Sequence, residues 1–187
     1  MREVDASEVR RVVREVVERA LGPAQEAPRP SSEPGSGARR VALGSDHGGF
    51  DLKEAIRRYL SEELGWDVHD CGTHSTAAVD YPDFAAAVAR EVASGRSARG
   101  VIVDAAGIGS SIAANKVPGV RCALCHDDAT VLNGREHNDA NVLALGAKVV
   151  NRGQTMRMVR LFLNTPFGGG RHERRVQKIM ALERGGR

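Results

Sequence analysis

The sequence predicts an α/β protein built on a doubly wound sheet of five parallel strands, preceded by an amphipathic helix on a flexible linker. Three observations predict it. From Val41 onward, short apolar and β-branched runs alternate with amphipathic helical stretches, the order that parallel strands joined by crossover helices demand. Aromatic residues are only 4% of the 187, so the core rests on Val, Ala, Leu and Ile, as strands covered on both faces require. Residues 100–116, Gly-Val-Ile-Val-Asp-Ala-Ala-Gly-Ile-Gly-Ser-Ser-Ile-Ala-Ala-Asn-Lys, read as strand, small-residue turn and helix. That junction belongs at the carboxyl edge of the sheet, where such folds bind ligands.

In residues 1–22, Val9, Val12, Val13, Val16, Val17, Ala20 and Leu21 form one helical stripe. Asp5 and Glu8 have capping-box spacing, and Gly22-Pro23 stops the helix. Residues 23–40 hold four of the seven prolines among Ser, Gly and charge, a linker with too little apolar surface to offset its ordering entropy. A short helix on such a tether must dock on its own body, on another copy or on a different protein. The main domain spans 41–187. Strands are expected at 41–45, 66–71, 100–104, 120–125 and 141–145. Helices are expected at 50–64 (stopped by Gly65), from Asp80, after Gly107, up to about Asn138, and at 155–163 and 171–182.

Composition excludes several classes. No apolar run reaches the 18 or so residues of a membrane span, and no signal-peptide h-region is present, so a cytoplasmic protein is expected. A net charge of +3 permits an anionic substrate without arguing for nucleic acid, and the basic C-terminal region lacks stacking aromatics. Cys122 and Cys125 form a C-x-x-C inside a strand pattern, where buried reduced thiols are expected rather than a redox pair. No histidine spacing fits a metal site, and neither a P-loop nor a G-x-S-x-G elbow occurs.

The polar residues converge on a few places. Asp104 ends the third strand, and Ser45-Asp46-His47-Gly48-Gly49 follows the first, so both sit at the carboxyl edge. The turn after Asp104 admits a ligand to its backbone N–H groups. A tight βα turn with a helix-capping Asp is the alternative reading of the same residues. His137, in Arg135-Glu136-His137-Asn138-Asp139, is a candidate general acid or base or a structural histidine. Arg171 and Arg175 lie four apart and can share one anion, with Lys148 able to join them, or they form a solvated basic face.

Taken together, these motifs resemble the family of type B ribose-5-phosphate isomerases and galactose-6-phosphate isomerase subunits. The matching pieces are Gly44–Phe50 (Gly-Ser-Asp-His-Gly-Gly-Phe), Asp80-Tyr81-Pro82-Asp83, Gly107-Ile108-Gly109, the run from Ile112 to Gly119, that from Arg135 to Asn141, and Arg171-His172-Glu173-Arg174-Arg175. The resemblance implies a Rossmann-like sheet, a homodimer or dimer of dimers with sites between subunits, and aldose–ketose isomerisation through an enediolate without metal or cofactor. It implies that His137 opens the sugar ring with help from Asp46, and that N–H groups of Ala106, Gly107, Ile108 and Gly109 hold the oxyanion. His47, Arg171, Arg175 and Lys148 (in place of the family's Arg) would take the phosphate, with Tyr81, Ser110 and Asn138 among the substrate contacts. The family's catalytic Cys is Asp104 here, the alternative Glu base of another branch is Ser110, and the ring-opening Thr is Ala106. The expectation is therefore a sugar-phosphate isomerase acting on ribose 5-phosphate with Asp104 as base, the alternative being a catalytically silent sugar-phosphate-binding homologue. Residues 1–22 resemble the extensions that load enzymes into bacterial microcompartments, which makes a shell protein their expected partner.

Overall fold

The computed structural model describes residues 39–183 and 185. The expected helix of residues 1–22 and the linker up to residue 38 lie outside the described residues. Strands β1 (Arg40–Ser45), β2 (Asp67–Asp70), β3 (Arg99–Asp104), β4 (Cys122–Leu124) and β5 (Val142–Gly146) form one sheet in the order β2-β1-β3-β5-β4. Every pairing is parallel, with Gly100 opposite Val142 and Val142 opposite Cys122. This is the five-stranded doubly wound sheet that the alternation predicted, with strand order reversing between β1 and β3.

Helices α1 (Phe50–Arg58), α2 (Tyr81–Ala93), α3 (Ile108–Ala114), α4 (Asp128–Asn138), α5 (Arg152–Asn164) and α6 (Glu173–Leu182) connect and follow the strands. The expected single helix from 50 to 64 is instead α1 continued by a π-helical turn, Tyr59–Glu63. Leu64 then donates back to the Tyr59 carbonyl, and Gly65 leaves the turn at φ +65, a conformation that glycine adopts without steric cost. At α4, Asp127 accepts from the Thr130 N–H at 2.7 Å in a capping box.

Residue size differs between the two faces of the sheet. On one, Val41, Leu43, Val101, Val103, Leu143 and Leu145 pack with Ile56, Leu60, Val131, Met158, Val159 and Phe162. On the other, Ala42, Ile102 and Val142 meet Ala85, Val88, Ala89 and Val92 of α2. Small residues let α2 lie close: a methyl group added at Gly44 or Gly100 would come within 2.7 Å of a Val88 methyl. The alternation follows from the two-residue period of the strands.

Two buried cations tie the periphery down. Lys53 is fully buried, its Nζ 2.6 Å from Asp70 Oδ2 at the end of β2 and 3.0 Å from Glu54 Oε1. Arg135 is 1% exposed and donates to the carbonyls of Thr165 and Ala140 and to Asp139 Oδ1. Buried charges persist only when so paired.

Candidate active site

The carboxyl edge gathers three loops. Asp46, just past β1, accepts from the Gly49 N–H at 2.9 Å through Oδ1, and its own N–H donates to the Val103 carbonyl. Gly48 approaches Ala105 closely enough that an added methyl would meet its Cβ at 3.5 Å, so the Asp46 loop lies against the Asp104 loop. Exposed His47 exchanges a 3.3 Å contact with the backbone of Val79, beside the start of α2. There Tyr81, 41% exposed, lays its ring over Gly109. After β5, the Lys148 N–H donates to the Ala105 carbonyl at 3.0 Å.

Asp104 is 5% exposed, and its carboxylate is fully engaged by its own loop. Oδ1 accepts from the Ala106 N–H at 2.8 Å and from the Gly107 N–H. Oδ2 accepts from the Ser110 N–H at 3.1 Å and the Ser110 hydroxyl at 2.5 Å. Gly107 holds φ +80 as the residue capping α3, so the chain folds back far enough for Ser110 to reach a carboxylate six positions earlier. Of the four carboxylate oxygens of Asp46 and Asp104, only Asp46 Oδ2 has no partner among the described residues.

Two expectations change accordingly. Of the four N–H groups expected at the oxyanion, those of Ala106 and Gly107 point at Asp104, leaving those of Ile108 and Gly109 without a partner among the described residues. Ser110, 1% exposed, turns its hydroxyl to Asp104 rather than to the open side of the loop.

A second cluster forms elsewhere. The rings of His137 and His172 stack at 4.2 Å and 3°, and Arg171 Nε lies 3.4 Å from His172 Nε2. Burial, the adjacent His137 ring and the guanidinium groups of Arg171 and Arg175 push the His172 pKa down. Arg171 belongs to a 3-10 turn, Gly170–His172, and Arg175 to α6, so the expectation that both lie on one helix is corrected. Asn138 donates to the carbonyl and Oδ1 of Asn133, each at 3.2 Å.

These clusters occupy opposite edges of the sheet. His137 and Asn138 end α4, and Asn141, whose carbonyl accepts from Gly100 N–H, precedes β5. They are at the amino edge, whereas Asp104 closes the other end of β3, roughly 13 Å further along at ~3.3 Å per residue. Lys148 lies past the end of β5, beside Ala105, so within one copy it stands at the edge opposite Arg171 and Arg175.

Other motif residues are structural. Asn115 Nδ2 donates to the Cys122 carbonyl and Oδ1 accepts from its N–H, copying a strand's hydrogen bonds. Asn141 likewise holds the Arg121 N–H and the Gly119 carbonyl. Burial pushes the thiols of Cys71 and Cys122 up to about 12 and that of Cys125 to about 11, so none is a ready nucleophile. Among the described residues, no three His, Cys, Asp or Glu side chains converge as a metal site, and no helix is long and apolar enough to cross a membrane.

A parallel sheet with facing polar loops at the carboxyl edge beside its switch point defines an α/β protein that binds a small polar ligand there. Residues 41–179 match the Ribose/Galactose Isomerase family, and the chain belongs to that family. It is 41% identical over 145 residues to a ribose-5-phosphate isomerase B of Escherichia coli, covering 78% of this chain and 97% of that protein. The solved structure of a Clostridium thermocellum ribose-5-phosphate isomerase B superposes with a TM-score of 0.76 at 46% identity, covering 78% of this chain and 98% of the other. A Mycoplasma genitalium ribose-5-phosphate isomerase B, solved with bound ribulose-5-phosphate, superposes at 0.74 with 37% identity, over 78% and 96% of the two chains. The chain is thus a sugar-phosphate isomerase homologue across its whole described domain.

Proposed function

We propose that the protein interconverts ribose 5-phosphate and ribulose 5-phosphate through an enediolate, as a homodimer whose sites each draw on two copies. The observation that carries the reading is the convergence of the Asp46, Tyr81 and Asp104 loops at one edge, in the family to which the chain belongs. The bound ribulose-5-phosphate of the Mycoplasma genitalium relative supports the choice of sugar.

In the reaction, a base takes the C2 proton of the open-chain aldose and the C–H electron pair becomes the C1=C2 bond. The carbonyl oxygen O1 takes the charge; the O2 proton then moves to O1, O2 forms a carbonyl with C2, and the C1=C2 electron pair takes the proton back from the base at C1. Aldose and ketose are isomers, so no oxidant is consumed. Asp104 is the proposed base, and Oδ2 becomes able to accept the proton once the Ser110 hydroxyl turns away, while the N–H groups of Ala106, Gly107 and Ser110 keep the carboxylate in place. The N–H groups of Ile108 and Gly109 face the developing oxyanion.

His137, Asn138, Arg171 and Arg175 lie about a strand's length from Asp46, His47, Asp104 and Lys148. A second copy, related by a two-fold axis, brings its amino-edge cluster to the first copy's carboxyl edge. His137 then assists ring opening with Asp46, and Arg171 and Arg175 take the phosphate with His47 and Lys148.

The test is a panel of aldose and ketose phosphates without added metal, followed by mixing of inactive Asp46→Asn and His137→Gln proteins. With sites shared between copies, random pairing makes half the dimers mixed, each with one intact site, so about a quarter of the parent activity returns. No turnover of any sugar phosphate refutes the isomerase reading, and no recovery on mixing refutes the shared site.

The engaged carboxylate of Asp104 favours one second reading, a sugar-phosphate-binding homologue without turnover, which the panel distinguishes by binding without conversion. Residues 1–22 are proposed, on their apolar stripe, to dock on a microcompartment shell protein. A fusion of residues 1–40 to a fluorescent protein that stays diffuse beside shell proteins refutes that.

A further inference from the structure

We propose that Asn133 is a positioning residue that fixes His137 in the tautomer carrying its proton on Nε2, with Asn138 fixing Asn133 in turn. The use of that tautomer in ring opening rests on the isomerase reading above, but the tautomer itself does not.

The chain of inference starts at a backbone atom. The Asn133 carbonyl can only accept, and the Asn138 side-chain atom 3.2 Å from it is therefore its NH2 group. That same NH2 lies 3.2 Å from the Asn133 side chain, so the group facing it there is the amide oxygen, because two NH2 groups would leave donors facing each other. The Asn133 amide is thereby oriented, and its NH2 is the group 2.9 Å from His137 Nδ1. A donor at Nδ1 requires that nitrogen to be the acceptor, which in a neutral imidazole puts the hydrogen on Nε2.

Geometry makes the device local. Residues 133 and 137 are one turn apart on α4 and share a face. Stacking of His172 at 4.2 Å and 3° covers one side of the ring and limits its rotation. His137 then presents Nε2–H as a hydrogen-bond donor, the neutral form that polarises an oxygen. A sugar ring oxygen is the substrate group that such a donor serves. Asn138 accordingly acts through Asn133 in this chain.

The experiment is long-range 1H–15N correlation of the imidazole nitrogens in the full chain under conditions where the ring is neutral, with His137 assigned by its loss in His137→Gln. The parent should show the Nε2–H pattern. Asn133→Ala and Asn138→Ala, both at exposed positions, should show a mixture of tautomers with backbone spectra otherwise unchanged. Asn133→Asp, whose carboxylate accepts from Nδ1–H, should reverse the pattern and lower kcat at least tenfold with KM nearly constant. A parent in the Nδ1–H form, or a pattern that ignores all three substitutions, overturns the proposal. If the tautomers behave as stated and no sugar phosphate is turned over, the isomerase reading fails while this one stands.

Discussion

Replacing Asp104 by Asn exchanges one oxygen for an NH2 group, and the loop offers that group no acceptor without rearrangement. With the amide nitrogen toward Ala106 and Gly107, two backbone N–H groups face a donor. With it toward Ser110, the hydroxyl can rotate to accept, and only the Ser110 N–H is orphaned. The second arrangement is cheaper. One buried orphaned N–H costs about 1–3 kcal/mol, and the surviving bonds fall from charge-assisted (about 1.5–3 kcal/mol) to neutral (about 0.5–1.5). With three surviving bonds each losing about 1 kcal/mol or a little more, the sum is roughly 4–7 kcal/mol, which in a domain of this size lowers Tm by about 10–25 °C. Thermal and urea unfolding measure this, and turnover is assayed well below the new Tm so that loss of base and loss of fold are separated. Turnover should fall by orders of magnitude. An unchanged Tm would mean the four-donor arrangement is not what holds the loop. An unchanged rate in a folded protein would remove Asp104 as base.

Arg171→Ala and Arg175→Ala should each weaken competition by inorganic phosphate by roughly 1–3 kcal/mol, the worth of a charge-assisted bond; equal competition against parent and variants places the phosphate elsewhere. The buried thiols predict alkaline lability. Their folded-state pKa values, about 11 to 12, exceed those of the unfolded chain. Their contribution is therefore complete below the unfolded value near 8.5 and is lost as pH rises toward 11 to 12. A Cys122→Ala protein should lose less Tm between pH 8.5 and 10.5 than the parent, and an equal loss contradicts it.

Much of the architecture was legible because period and punctuation agree: β-branched runs, small-residue turns and stripes at helical spacing mark all five strands and the helices after them. Lys53 shows where legibility stopped. It stands three before Ile56 and seven before Leu60, on the buried stripe of α1, yet a lysine reads as solvated until its partner is known. That partner, Asp70, ends strand β2. Asp104 is a subtler case. A carboxylate at a strand end followed by small residues reads equally as a reactive group and as a turn-closing one. The difference lies in whether Ser110 reaches it, and a positive φ at Gly107 settles that. The opposite placement of Asp104 and His137 follows from helix direction alone, but only once α4 is known to run the full depth of the sheet.

The sheet's unequal faces set how the domain tolerates change in volume. Beneath α1 and α5, side chains such as Leu43, Leu145 and Phe162 are large, so harm comes from truncation, which leaves a void the neighbours only partly fill. Beneath α2, the layer is already as thin as Gly44, Gly100 and the Val88 methyls allow, so harm comes from enlargement, which pushes a whole helix outward. That helix begins at Tyr81, whose ring rests on Gly109. A methyl group gained deep under α2 therefore acts as a wedge whose far end is the carboxyl edge of the sheet.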